Sequence, residues 1–294
     1  MPAAIPLRHL LLALAVVFVW GTNFVAIKVV LEHIPPLLFA ALRFTMALVP
    51  AAFFVPRPKA GWGNLALYGL LIGVGQFGLL YIAIDGHISP GLASLVIQLQ
   101  VFFTIAASMR ISGERLQPVQ WFALALATAG IGIIAMQTDA TTTVLGLALV
   151  IGAAMGWAGG NIAAKQAGNV NMLAYVVWSS AFSILPLLAL SLAFEGPQAM
   201  AAGLREADAV TWAAVVWQAV GNTLFGYAAW GWLLARHPSA TITPMALLVP
   251  VFGMASSALW LAEPMPAWKI VAALLVMAGL ALNILWPRWR NRPA

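Results

Sequence analysis

Apolar residues run along this chain in stretches of about twenty, broken at short intervals by charge, proline and glycine. A helix needs about 20 apolar residues to cross roughly 30 Å of hydrocarbon. Ten stretches reach that length, at 9–30, 36–56, 64–84, 91–110, 117–136, 145–165, 172–194, 211–233, 241–261 and 267–286. The pattern therefore predicts an all-α integral membrane protein of ten transmembrane helices. Most connections are a handful of residues, such as "EHIPP", "DGHISPG" and "QTDATTT". The exception, "EGPQAMAAGLREADAV", joins spans seven and eight. No stretch is left for a soluble catalytic domain. The first apolar run exceeds the roughly 7–15 residues of a signal-peptide core, so it reads as a retained helix.

Within these runs, polar residues recur at matched spacings. "WGTNFVAIK" (20–28) returns as "WAGGNIAAK" (157–165), with Trp and Lys eight residues apart and Asn between them. "VGQFGLLYIA" (74–83) in span three returns as "VGNTLFGYAA" (220–229) in span eight, which pairs Gln76 with Asn222 and Tyr81 with Tyr227. Glu114 in "GERLQP" matches Glu263 in "AEPMPA", and the "AG" at 129–130 matches that at 278–279. Residues 1–140 and 141–294 thus read as two copies of one five-span unit. Five is odd, so the second copy must cross the membrane upside down. Inverted repeats of this kind characterise many secondary transporters, where the halves exchange conformations to open the path on either side. Duplication could also build a merely stable bundle.

Composition agrees with the spans. Of 294 residues, 63% are hydrophobic and 7% are charged, against about 25% charged in soluble domains. The net charge is +6, but the basic residues sit in connections, which points to membrane topology and not to nucleic acid. With the N-terminus in the cytoplasm, ten Lys and Arg fall on inside connections and three on outside ends. The positive-inside rule then puts both termini in the cytoplasm. Tryptophans 62, 121, 212, 260, 268 and 286 lie near span ends, as interfacial anchors do. Cysteine is absent, which removes thiolate metal sites and disulfides; no metal or cofactor is expected.

The stretch "WGTNFVAIKVVLEHIPPLLFAALRFTMALVP" (20–50) resembles the opening of the EamA-type repeat of the drug/metabolite transporter superfamily. "GERLQPVQWFALALATAGIGIIAM" (113–136) and "LAEPMPAWKIVAALLVMAGLALN" (261–283) resemble that repeat's end. The resemblance covers nearly the whole chain. It implies a multi-pass exporter of the bacterial inner membrane, with helices five and ten outside two four-helix sets that surround a central cavity. Within the superfamily the chain is most similar to the YddG-type exporters of amino acids, aromatic ones included.

A polar side chain at the bilayer centre must face protein or a wet cavity. Near the span midpoints stand Trp20 with Asn23, Gln76, Gln98 with Gln100, Trp157 with Asn161, and Asn222 with Gln218 one turn away. Any one amide could be interhelical glue, worth roughly 0.6 kcal/mol. Together they predict an amide-lined substrate pocket, with Tyr81 and Tyr227 beside it. Amides and hydroxyls suit a zwitterion because they donate and accept without demanding a counter-charge. Trp20 and Trp157 could pack on a side chain or attract an ammonium.

Arg43 lies inside span two, and could bind a carboxylate or pair with carbonyls or Glu32. Lys28 and Glu32 are spaced as a helix pair. Lys165 reads as an inside anchor or a gate residue, and Pro244 and Pro250 as interruptions that bend or hinge span nine. Gly69 with Gly73 and Gly152 with Gly156 have the spacing for close backbone approach. All eight Asp and Glu fall in connections or at span ends, which favours gradient-driven or exchange export over strong proton coupling. There is no phosphate-binding loop for ATP. Multidrug efflux, or exchange of another metabolite, is the nearest alternative. An intramembrane enzyme would need His, Asp, Glu or Cys at depth. The expected assembly is a monomer or weak oligomer.

Overall fold

The computed structural model describes residues 6–112, 118–137, 142–237 and 242–290. Glu114, Arg115 and Asp139 lie outside the described residues. Within them every regular element is a helix, with no strand. In chain order the rods are α1 (Leu7–Leu31), α2 (Pro36–Ala52), α3 (Trp62–Ile84), α4 (90–112), α5 (Pro118–Met136), α6 (Val144–Gln166), α7 (Met172–Phe194), α8 (209–236), α9 (243–260) and α10 (Ala267–Arg290). Seven of them are long and apolar enough to cross a membrane, and α2 and Met245–Trp260 of α9 are shorter apolar helices.

The helix ends follow local rules. Pro36 and Pro90 open α2 and α4, where proline's missing N–H costs nothing. Thr143, Asn171 and Asp208 cap α6, α7 and α8 by accepting from Gly146 N (3.0 Å), Ala174 N (3.1 Å) and Thr211 N (2.8 Å). Gly86 and Gly168, at φ +84° and +76°, take the left-handed turns after α3 and α6. The long connection after α7 holds a short surface helix, Gly196–Glu206. Its Gly203 lies against the backbone of His33 and Ile34.

Four rods are not uniform. A nine-residue π-helical stretch, Leu70–Gly78, sits inside α3, and another, Trp217–Phe225, inside α8. A 3₁₀ stretch, Ile97–Leu99, interrupts α4, and another, Thr243–Leu247, begins α9. Wide turns of the π type are rare and concentrate at functional sites. Pro250 falls in the first turn of Leu248–Trp260, directly after the 3₁₀ stretch, where a proline is tolerated. Pro244 stands at the start of the 3₁₀ stretch; its side chain is outside the described residues.

Small residues decide how closely the rods meet. α5 packs along α10, and that pair is largely exposed. At its crossing a Cβ on Gly130 would meet Ala272 O at 2.8 Å, and one on Gly279 would meet Ala123 O at 2.5 Å. Each "AG" of the repeated motif thus supplies the glycine that admits the other helix. Gly69 and Gly73 bring α3 against Ser179 and Ser183 of α7, while Gly156 of α6 meets Gly75 of α3. Gly21 lets α1 approach Val249 and Phe252 of α9. The remaining major contacts join α2 with α7, α3 with α6, α4 with α6, α4 with α9, and α1 with α8.

Candidate functional site

These crossings leave a cavity of about 490 Å³ inside the bundle. Its wall includes Trp20 and Asn23 from α1, Gln76 from α3, Gln98 and Gln100 from α4, Trp157 and Asn161 from α6, and Asn222 and Tyr227 from α8. Nine of the twelve side chains expected at a pocket from sequence therefore meet around one space. The pattern did not single out Phe24, Tyr68, Phe77, Met172 and Trp230, which also line the wall. Apolar and aromatic residues are frequent in every run, and nothing in their spacing marks the few that face inward. No charged side chain among the described residues lines the cavity.

Local geometry sets each wall. The Trp20 indole donates to the Asn222 carbonyl at 3.2 Å. Gly226 leaves room for that ring, since a Cβ there would strike the indole. Tyr227 and Trp230 pack on Trp20, with ring centroids 5.8 and 5.2 Å away. Asn161 donates to Gln100 Oε1 (2.8 Å) and Thr104 Oγ1 (3.2 Å), which ties α6 to α4. Gln76 and Asn222 stand on the two π segments. Asn23 Oδ1 and Gln76 Oε1 are buried without a hydrogen-bond partner among the described residues. Leaving such an acceptor unsatisfied costs about 1–3 kcal/mol.

Arg43, Tyr81 and Gln218 lie outside this wall and form a network of their own. Arg43 is 1% exposed. It donates through Nη1 to Tyr81 Oη (2.8 Å) and through Nη2 to Thr223 Oγ1 (3.1 Å). Its guanidinium carbon lies 3.6 Å from the centroid of Phe77, whose ring also lines the cavity. The Tyr81 hydroxyl reaches Gln218 Oε1 at 3.4 Å, and Gln218 Nε2 donates to the Asn23 carbonyl at 3.2 Å. Among the described residues neither Glu32 nor a carbonyl holds Arg43, because α2 turns it towards α3 and α8. Lys28 and Glu32 do not form the ion pair their spacing allows; among the described residues the one salt bridge is Lys269–Glu263, at 2.9 Å. Lys165 is exposed in the last turn of α6.

At one end of the bundle, two carboxylates cross between rods. Glu195, after α7, accepts from Leu37 N (2.5 Å) and Leu38 N (3.1 Å) at the N-terminus of α2. Glu263, between α9 and α10, accepts from Gly91 N (3.0 Å) at the N-terminus of α4 and from Ser89, Ser257 and Lys269. A carboxylate there meets unpaired N–H groups and the positive end of the helix dipole. Burial opposes the charge of Glu263, yet the hydrogen bonds from Ser257, Ser89 and Lys269, with the Lys269 charge, hold its carboxyl below the ordinary range. No group of His, Asp and Glu able to hold a metal exists among the described residues.

The sequence profile of the EamA-like transporter family matches residues 7–136 and again 144–285. A "Probable amino-acid metabolite efflux pump" of Salmonella typhimurium is 42% identical over 286 residues, which covers 95% of this chain and 96% of that protein. The protein of the same description in Escherichia coli is 40% identical over the same shares. A "Probable terminal-alkyne amino-acid exporter" of Streptantibioticus cattleyicolor is 28% identical and covers 90% of each chain. One solved crystal structure superposes with a TM-score of 0.63 at 18% identity, covering 98% of this chain and 100% of that one. That likeness concerns the fold alone.

Proposed function

Because the chain belongs to the EamA-like transporter family, we propose that it exports small zwitterionic solutes, amino acids foremost, through the amide-lined cavity by alternating access. It is a multi-pass inner-membrane transporter and not an enzyme. The observation that carries the substrate reading is the chemistry of the wall. A cavity of about 490 Å³ falls in the range of roughly 300–1,000 Å³ usual for small-molecule sites. It offers amides, hydroxyls and aromatic faces but no fixed charge. Asn23 Oδ1 and Gln76 Oε1 lack donors, and an ammonium group carries three. Three relatives bear names that refer to amino-acid efflux or export.

Several features support ten spans in two inverted units, residues 1–140 and 141–294, with both termini in the cytoplasm. The family profile fits each half separately. The π stretches occupy α3 and α8, and the 3₁₀ stretches α4 and α9, which are equivalent rods of the two units. Exchanging the halves maps the α1–α9 contact onto α6–α4, and α3–α6 onto α8–α1, while α2–α7, α4–α9 and α5–α10 map onto themselves. A pseudo-two-fold axis in the membrane plane produces that pattern. On this topology the wall reaches Ala164, Met172 and Leu234 at the cytoplasmic side, so the conformation faces inward. Glu195 and Glu263 then fasten the outer end. Transport by a monomer or weak oligomer, without a proton-carrying carboxylate in the path, completes the proposal.

Counterflow in proteoliposomes tests it. Vesicles preloaded with unlabelled amino acids take up labelled phenylalanine or threonine in excess of protein-free vesicles. Uptake of a cationic dye with no uptake of either amino acid would overturn the substrate reading in favour of drug efflux.

A further inference from the structure

The buried arginine behind the cavity has no role in that account so far. Its guanidinium is met by two neutral hydroxyls and by the rings of Phe77 and, further off, Phe44, and no carboxylate lies within ion-pair distance among the described residues. A cation so placed is costly in a low-dielectric interior. Its planar fork matches a carboxylate in two parallel hydrogen bonds, which are stronger than bonds to hydroxyls. One ring, Phe77, separates it from the cavity. The network it belongs to also ties rods from both units together: Arg43 of α2 bonds Tyr81 of α3 and Thr223 of α8, and Tyr81 leads on through Gln218 of α8 to the Asn23 carbonyl of α1.

Resting on the exporter reading, we propose that Arg43 is the exit-side receptor for the substrate's carboxylate, and that binding there releases the lock holding the outer half shut. The repeat makes the device one-sided. Tyr81 is locked on Arg43, while its counterpart Tyr227 lines the open cavity. When the halves exchange conformations, Tyr81 and Arg43 come to face the opposite, outward opening. Aligning α2 with α7 through their preceding caps, Pro35 and Asn171, and their internal prolines, Pro50 and Pro186, sets Ser179 opposite Arg43. Ser179 turns its hydroxyl back to the Tyr175 carbonyl at 2.6 Å. The inner side therefore lacks the cation, so a carboxylate entering from the cytoplasm finds its strongest partner only further along the path.

The absence of native cysteine permits a direct test on the full chain in lipid nanodiscs. Ala40, one turn before Arg43 on α2, is 0% exposed, and Ala40→Cys reports opening of the outer half to a hydrophilic maleimide. The probes are an equimolar mixture of free amino acids other than cysteine, and the same amino acids as amides. Free amino acids accelerate labelling by about fivefold or more, the low end of ordinary coupling between sites, and the amides do not. Arg43→Gln labels fast without any probe and loses the distinction between acid and amide. Tyr81→Phe and Thr223→Val, which weaken the lock but keep the cation, label faster and retain the preference for the acid. The proposal is overturned if acids and amides act alike on the Ala40→Cys chain, or if Arg43→Gln still distinguishes them. Thermal stabilisation of the same chain separates the failures. Stabilisation by neither mixture removes the amino-acid reading itself, whereas stabilisation by the acids with unchanged labelling removes only the Arg43 proposal.

Discussion

Replacing Glu263 with glutamine isolates the fastening of the outer end. The carboxylate is 7% exposed and its partner Lys269 6%. Four donors converge on it: Lys269 Nζ, Ser89 Oγ, Ser257 Oγ and Gly91 N. The preceding Ala262 holds a left-handed backbone, φ 51°, a strain of about 1–2 kcal/mol that the network must outweigh. Glu263→Gln keeps the shape but leaves Lys269 as a buried cation without a counter-charge. Breaking one partner of a buried pair costs about 3–5 kcal/mol. At roughly 2–4 °C per kcal/mol, the lower figure predicts a fall of about 6–12 °C in the apparent Tm, read from the intrinsic fluorescence of the 13 tryptophans. Adding Lys269→Met removes the orphaned charge. The double variant then loses only hydrogen bonds, each worth about 1 kcal/mol net, and recovers more than half of the fall. Glu263→Gln as stable as the native chain, or a double variant no better than the single one, would refute the reasoning.

Further outcomes follow from the same contacts. The folded-state carboxyl of Glu263 lies below its ordinary value of 4.5, so its stabilisation is complete above that pH and is lost as pH falls through the lowered value. In Lys269→Met, desolvation meets less opposition and the loss begins at higher pH, as melts across an acid series measure. Asn222→Leu or Gln98→Leu lowers amino-acid counterflow by about five- to tenfold, the worth of one hydrogen bond of about 1–1.4 kcal/mol, while membrane insertion persists; unchanged flux in both would mark these amides as interhelical glue. Gly279→Val drives a side chain into the Ala123 carbonyl and Ala127 nitrogen and destabilises the α5–α10 pair by about 1–3 kcal/mol, read as a lower melt with little change in counterflow per folded molecule.

The sequence carries depth well and direction poorly. Run length and breaker clusters locate the rods to within a few residues, because crossing hydrocarbon demands one length and one chemistry. The amides of the cavity are legible for the same reason: Gln98, Asn161 and Asn222 stand out against apolar neighbours. Which way a side chain turns depends on which helix lies beside it, and no spacing within a run records that. Arg43 therefore reads correctly as deep, while its closure against Tyr81 and Thr223 depends on α3 and α8. Gly130 and Gly279 are visible as a repeated dipeptide, although their reciprocal fit emerges only when α5 meets α10. The π stretches have no signal beyond a glycine and an amide recurring in both copies. The surface helix Gly196–Glu206 lies in a connection that is too short and too polar on average to read as a span, so a search for apolar runs passes over it.

Accessibility of Gln98 from the two sides of the membrane tests the account most directly. A Gln98→Cys chain, oriented in sealed vesicles, is exposed to an impermeant maleimide on one face at a time. Labelling from either face, slowed from both by a transported amino acid, is the result that two opposed halves alternating around one wet cavity require. A residue that reacts from neither face would mean a dry seam between helices, and one that reacts from a single face in every condition would mean a pocket without passage.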